Sequence, residues 1–127
     1  MYGITELHEI MTKEQILENF DPSQPGLADA TIFGLPFSAE QSEIIVIPVP
    51  WEVTVSYGSG ASKGPDAVLD ASFQVDLNHQ EFPELWKQGL YFDAGAEHWT
   101  STSDEHKALA QPINEALENG ELIAENE

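Results

Sequence analysis

Three closely spaced glycines and a lysine form the part of this sequence that most resembles a site for chemistry. Gly58, Gly60, Lys63 and Gly64 follow an apolar run and precede a helical pattern, the place where phosphate-binding loops present backbone N–H groups to an anion. The spacing does not fit that chemistry. A P-loop needs four residues between its glycines and then Gly-Lys-Ser/Thr, and the dinucleotide pattern Gly-x-Gly-x-x-Gly is one residue shorter than the spacing here. A structural loop is the favoured interpretation.

Other groups that could carry catalysis lack the surroundings that their chemistry requires. The chain has no cysteine, which excludes disulfides, Cys-ligated zinc and a thiol nucleophile. Gly58-Ser59-Gly60 is too short for the Gly-x-Ser-x-Gly setting of an esterase nucleophile. No metal-ligand pair at helical or hairpin spacing can be drawn from the four histidines, which are His8, His79, His98 and His106.

The elements that must position the glycine-rich loop are a strand before it and a helix after it. Residues 43–50 contain a continuous run of β-branched side chains, the pattern of a strand buried on both faces of a parallel sheet. A helix is predicted from Pro65 to about Phe73, with Val68 and Leu69 facing the sheet. A second strand is predicted over residues 88–93, so that strand, crossover helix and strand form one right-handed parallel unit.

The flanking segments have their own local signals. Thr12 and Gln15 fit a capping box and predict a short helix over residues 12–20. Residues 22–42 are rich in Pro, Gly, Ser and Ala, and are predicted to form an irregular segment lying against the domain surface.

Near the C-terminus, Ser103 is predicted to cap a helix that begins at Asp104. Pro112 is expected to interrupt that helix. Its apolar side chains fall on one side and are Leu109, Ile113, Ala116 and Leu117. The residues from 118 onward form an acidic tail.

The charge of the chain excludes several classes of partner. There are 23 acidic residues against four cations, none of them arginine, and the formal net charge is −19. Nucleic acid is not expected as a partner, because binding it requires clustered cations, and the same argument disfavours an anionic membrane surface. No segment reads as a secretory signal or as a membrane span, so cytoplasmic residence is the expectation.

The segment from Ile44 to Ser72 resembles the N-terminal signature of the ureohydrolase family, which includes agmatinases, arginases and formimidoylglutamases. That signature has a strand ending in Gly-Val-Pro-Phe-Asp or similar, then a glycine-rich loop, then Gly-Pro-x-Ala-Ile/Val at the start of a helix. The matching residues are Val49-Pro50-Trp51-Glu52, then Ser56, Gly58 and Gly60, then Gly64-Pro65-Asp66-Ala67-Val68 and Ala71-Ser72.

The resemblance implies an α/β fold, the N-terminal part of a three-layer α/β/α arginase-like domain with a parallel sheet. It also implies a hydrolase of guanidino or formimino C–N bonds that uses two manganese ions and assembles as a homo-oligomer. Two metals suit this reaction because guanidinium is a poor electrophile and the attacking hydroxide must form at neutral pH.

The sequence departs from the family in two respects. Agmatinases commonly carry arginines where this chain has Gly58, Lys63 and Leu69, which leaves the substrate within the family open. The metal motifs Gly-Gly-Asp-His, Asp-Ala-His-x-Asp and Asp-x-Asp-x-x-Asp do not occur in these residues. We therefore expect an incomplete domain without metal ligands and without hydrolase activity of its own.

The expected single domain has three parts: an N-terminal helix and irregular extension over residues 1–42, the strand-loop-helix-strand unit over 43–93, and a helix with an acidic tail over 94–127. The candidates for substrate contact are Trp51, Glu52, Ser56 and Tyr57, which follow the first strand where open α/β sheets bind ligands. Gly58, Gly60, Gly64 and Pro65 are assigned to the structure of the loop and the helix start. The alternative is a non-catalytic acidic binding or scaffold domain that retains the family's first strand and loop.

Overall fold

The computed structural model describes residues 11–25, 31–55, 58–95 and 97–120. Within them lie three α-helices, α1 (Lys13–Asn19), α2 (Gly64–Ser72) and α3 (Glu97–Glu118), and two strands, β1 (Ile44–Val46) and β2 (Leu90–Phe92). The contacts divide the chain into two compact units, the first formed by residues 1–48 and 66–94 and the second by 49–65 and 95–127. The division predicted at residues 42 and 93 stays a prediction.

The sheet of the first unit has two parallel strands in the order β1-β2. Ile44 is paired with Leu90 and Val46 with Phe92, and the ladder continues where the Asp93 N–H donates to the Val46 carbonyl over 3.0 Å. The parallel pairing and the strand-helix-strand order confirm the predicted α/β fold class.

Most of the core of the first unit comes from outside the sheet. Ile16 of α1 packs with Leu35, Phe37 and Trp86 in one buried cluster. Of these, Leu35 is 1% exposed. Leu35 and Phe37 belong to the segment for which the sequence predicts an irregular course over the domain surface. The course is irregular, but the segment supplies the centre of the core rather than a cover over it.

A left-handed residue gives that segment its course. Phe33 has φ 61°, a conformation that costs a non-glycine residue roughly 1–2 kcal/mol. Its N–H donates to the Ser72 hydroxyl over 2.9 Å, and that hydroxyl donates to the Leu69 carbonyl over 2.6 Å. The buried end of α2 thus holds the turn from which Leu35 enters the core.

Helix α1 is confirmed together with its capping box. The Thr12 hydroxyl accepts the Gln15 N–H over 3.3 Å, and the Gln15 side chain accepts the Thr12 N–H over 2.9 Å. The helix ends at Asn19, and the ring of Phe20 beyond it packs against that of Trp86 at an angle of 51°, with ring centroids 5.1 Å apart. Two reciprocal hydrogen bonds therefore define where this short helix begins.

Helix α3, in the second unit, differs from its prediction in two ways. It begins at Glu97 rather than Asp104, so Ser103 lies inside the helix and does not cap it. The helix also continues through Pro112 without interruption, although proline has no N–H to bond the Ala108 carbonyl. None of the described helices is both long enough and apolar enough to cross a bilayer.

The apolar strand and helix faces are more exposed than their patterns predict. Ile44, Ile45 and Ile47 are all exposed, as is Val68 of α2, so the expected burial of β1 on both faces is not seen. The stripe of α3 is exposed as well at Leu109, with 74% of its surface accessible, and at two further residues, Ile113 and Leu117. For β1 the physical reason is that the sheet has two strands within the described residues, so each strand has one neighbour and little cover.

Replacing Leu35 with alanine should lower the free energy of unfolding of the first unit by about 3 kcal/mol, since it leaves a cavity in the cluster around Trp86. The measurement is urea unfolding followed by tryptophan fluorescence. Val68→Ala, in the same unit but on the exposed face of α2, should change it by less than about 0.5 kcal/mol. Equal losses from the two variants would show that the Leu35 cluster is not the core.

Candidate functional site

The loop after β1 is organised around the side chain of Glu52, which lies in the second unit. Glu52 is only 4% exposed although it is a carboxylate. Burying a charge is costly unless partners replace the water that it loses. The partners of its two oxygens must therefore offset the cost of burying the charge.

One oxygen of Glu52 binds the glycine-rich loop. Its Oε2 accepts the Gly60 N–H over 2.6 Å, the Ser62 N–H over 3.0 Å and the Ser62 hydroxyl over 3.2 Å. Gly60 has φ 136°, a conformation that side chains with a Cβ rarely adopt. The glycine is needed there because the backbone must turn its N–H toward the carboxylate.

The other oxygen binds helix α3. Lys107 donates to Glu52 Oε1, and the same ammonium group donates to the Ser59 hydroxyl over 2.8 Å. One turn earlier on the helix, the Ser103 hydroxyl, 2% exposed, accepts the backbone N–H of Glu52 over 2.8 Å. Two side chains at i and i+4 on one face of α3 thus hold the residue by its backbone and by its charge.

These partners determine the protonation state of Glu52. The Lys107 ammonium, followed by the N–H groups of Ser62 and Gly60, holds the pKa of the Glu52 carboxyl well below its usual range. Opposite charge and hydrogen bonds both favour the ionised form. Glu52 is therefore a carboxylate throughout the physiological range of pH and does not serve there as a proton donor.

Of the residues predicted to contact substrate, Trp51 is the more accessible of the two that are described. Its side chain is 41% exposed, and its ring lies 5.6 Å from that of His106, measured between centroids, at an angle of 47°. Ser56 and Tyr57 lie outside the described residues. Contact of any of the four with substrate stays a prediction.

The residues assigned to loop structure lie at the turns of the backbone. Gly58 and Gly60 both have positive φ, while Gly64 and Pro65 open helix α2 after a single 3₁₀ turn at Ala61–Lys63. The N–H groups of Gly60 and Ser62, the ones that a phosphate cradle would use, already bind Glu52. This arrangement supports the interpretation as a structural loop.

The described residues do not fit the manganese pair that the resemblance implies. No group of three or more His, Asp or Glu side chains in the described ranges is placed to hold a metal ion. His79 Nδ1 accepts the N–H groups of Glu81 and Phe82, and His106 Nδ1 donates to the Thr102 carbonyl. Within the described residues, the contacts of the site are those that hold the loop in place.

Sequence reasoning missed Lys107 and Ser103 as functional residues. They lie 55 and 51 positions from Glu52, a separation at which no local motif can link residues. One signal was available, because Lys107 is one of only four cations among 23 acidic residues. A lysine four residues after a serine on a helix is consistent with binding a carboxylate. The pattern does not show which carboxylate is bound.

Comparison with known proteins gives a family for this geometry. The profile that describes the arginase family matches residues 42–125. The N(1)-aminopropylagmatine ureohydrolase of Synechocystis sp. is 41% identical over 75 residues, which make up 58% of this chain and 23% of that protein. The chain therefore covers well under half of this relative. No solved structure matched this chain.

The Glu52→Gln variant should be less stable at pH 7 and less sensitive to acid than the unaltered chain. The pKa of Glu52 lies below its ordinary value of 4.5 in the folded state, so its stabilising contribution is present above about pH 4.5 and lost as pH falls below it. Glutamine removes both the contribution and its loss.

The measurement is the urea midpoint from circular dichroism at 222 nm, at pH 7, 5, 4 and 3. Glu105→Gln, on the exposed surface of α3, is the control and should leave the midpoint at pH 7 within error. An acid sensitivity of Glu52→Gln equal to that of the unaltered chain would contradict the assignment.

Proposed function

Because the chain belongs to the arginase family, we propose that its residues form the N-terminal part of a hydrolase that cleaves a C–N bond of a guanidino or formimino compound. The observation that carries the proposal is the identity of 41% with an aminopropylagmatine ureohydrolase over 75 residues. The structure adds a reason why the residues that match the family, 42–125, matter. They contain a loop whose backbone is held by a buried, ionised carboxylate.

The substrate that we propose is a cationic guanidino compound such as agmatine or its aminopropyl derivative. The net charge of −19 attracts small cations over a distance and raises their local concentration. Trp51, exposed beside Glu52, offers a ring face of the kind that binds guanidinium and ammonium groups.

The metal chemistry is proposed to come from outside these 127 residues. In such a hydrolase, two manganese ions would lower the pKa of a bound water and so would supply hydroxide at neutral pH. The described residues hold no ligand set for them, so the role proposed for this chain is to shape and position the substrate loop. We further propose assembly into a homo-oligomer, on the resemblance to the family, and the cytoplasmic location that the sequence pattern led us to expect.

A second candidate function is a non-catalytic acidic module that binds a cationic partner. The observation that favours it is the charge, 23 acidic residues against four lysines. The two functions differ in one measurable property, since only the first requires the loop segment to work inside a ureohydrolase.

A chimera tests the first function directly. Residues 42–125 of this chain, which match the family, replace their counterpart in the Synechocystis enzyme, and manganese-dependent urea release from N(1)-aminopropylagmatine is measured. We expect activity within about a hundredfold of the parent, the loss that a displacement on the order of 1 Å produces. A chimera that folds and binds manganese yet releases no urea would favour the acidic module.

The 127-residue chain by itself should release no urea from agmatine or N(1)-aminopropylagmatine, with manganese or without it. The physical reason is that no described carboxylate or imidazole set can generate the metal-bound nucleophile. The assay is urea release over hours at high protein concentration, with the intact Synechocystis enzyme as the positive control. Turnover above the metal-free background would contradict the proposed division of labour.

A further inference from the structure

We propose that Glu52 acts as an internal anion that fixes the conformation of the loop over residues 58–62, with Lys107 as its counterion. Glu52 is then a positioning residue and not a group that binds substrate. The inference rests on the proposed function in one respect, that this loop faces the substrate. Its structural content can be tested without any activity.

The carboxylate of Glu52 already has donors at both of its oxygens. Two N–H groups and a hydroxyl reach one oxygen, and an ammonium group reaches the other. A carboxylate with this many donors at 4% exposure has little accessible surface left for a ligand. Its negative charge is neutralised by donors of the same chain.

Two of these donors are backbone N–H groups of the loop. In phosphate-binding loops the backbone N–H groups after a strand bind an anion of the substrate. Here the N–H groups of Gly60 and Ser62 bind Glu52 in its place. The loop is thus an anion cradle that the chain fills itself, and an anionic substrate group has no free backbone donors at these two positions.

Lys107 supplies the donor at the other oxygen. It binds both Glu52 and Ser59, so the ammonium group ties the carboxylate to a second point of the loop. Lys13 and Lys87 also pair with carboxylates, Glu43 and Glu84, but those are exposed. Among the described ion pairs, only that of Lys107 contains a buried acid. Loss of one partner leaves the other uncompensated.

The consequence bears on the substrate class. Because the Gly60 and Ser62 N–H groups and the Lys107 ammonium already bind Glu52, the loop offers a ligand its shape and its remaining acceptors. The exposed ring of Trp51 precedes Glu52 in the chain. Such a loop suits a cationic or neutral group and disfavours a carboxylate or phosphate. The restriction follows from the contacts of Glu52.

Chemical rescue tests the inference on the 127-residue chain. Glu52→Gly removes the carboxylate and leaves a space that acetate can enter. In ¹H–¹⁵N spectra the amides of Gly60 and Ser62 should move upfield in this variant by more than other amides. Sodium acetate should return them toward their original positions, with saturation on the order of 1–100 mM, whereas sodium chloride of equal ionic strength should not.

Glu52→Gln is the matched control, because its amide fills the space and leaves no room for acetate. Lys107→Met should move the same two amides, and Lys107→Arg, which keeps the charge, should restore most of the shift. The lysine pair supplies the test if Glu52→Gly does not fold.

Two results overturn the inference. One is a Glu52→Gly variant with dispersed signals in which the Gly60 and Ser62 amides do not move selectively. The other is an equal response to acetate and to chloride. Neither depends on urea release, so an inactive chimera with a normal acetate rescue would count against the proposed function and leave the internal anion standing.

Discussion

A buried negative charge needs fixed partners, and in this chain that requirement organises the second unit. The Glu52 side chain is 4% exposed, and its carboxylate is held by Lys107 on one side and by loop donors on the other. In such surroundings each hydrogen bond is stronger than in water, and each missing one is more costly. The backbone angles of Gly60 and the position of Ser103 within α3 both follow from it.

The first unit meets a different constraint with different means. Two three-residue strands bury little surface, so the core is built from Ile16, Leu35, Phe37 and Trp86, which lie outside the sheet. Gly89 permits this arrangement. Its φ is +79°, and a Cβ at this position would lie 3.0 Å from the Gln41 carbonyl oxygen, so the chain can pass closely there into β2.

The parts of the fold that could be predicted are those whose signals are local. The capping box of α1 and the start of α2 at Gly64 and Pro65 depend on residues within a few positions. The β-branched run placed β1 correctly, and the pairing with β2 followed from the rule for parallel units. The predicted start of α3 was wrong, because Ser103 is a good capping residue whose hydroxyl instead accepts the N–H of Glu52.

The sequence could predict where in the chain the candidate site lies, but not the contacts within it. The structural role assigned to the glycines agrees with the positive φ of Gly58 and Gly60. Glu52 was one of four candidates for substrate contact, chosen because they follow the first strand. The roles of Lys107 and Ser103 could not be derived, because contacts across more than 50 positions are set by the tertiary fold. The burial of Leu35 and Phe37 was missed for a similar reason, since an irregular segment has no periodicity to show which side faces inward.

The exposed isoleucines of β1 have a consequence for the behaviour of the chain in solution. Ile44 and Ile45 lie on β1 and Ile47 follows it directly, and within the described residues β1 pairs only with β2. Such an edge is a template for strands of other molecules. A charge of −19 on every copy opposes that encounter, but the repulsion extends only over a Debye length, about 10 Å at 0.1 M salt and about 3 Å at 1 M. The colloidal stability of the chain therefore falls as ionic strength rises, because salt screens the acidic side chains that keep the exposed strands of different molecules apart.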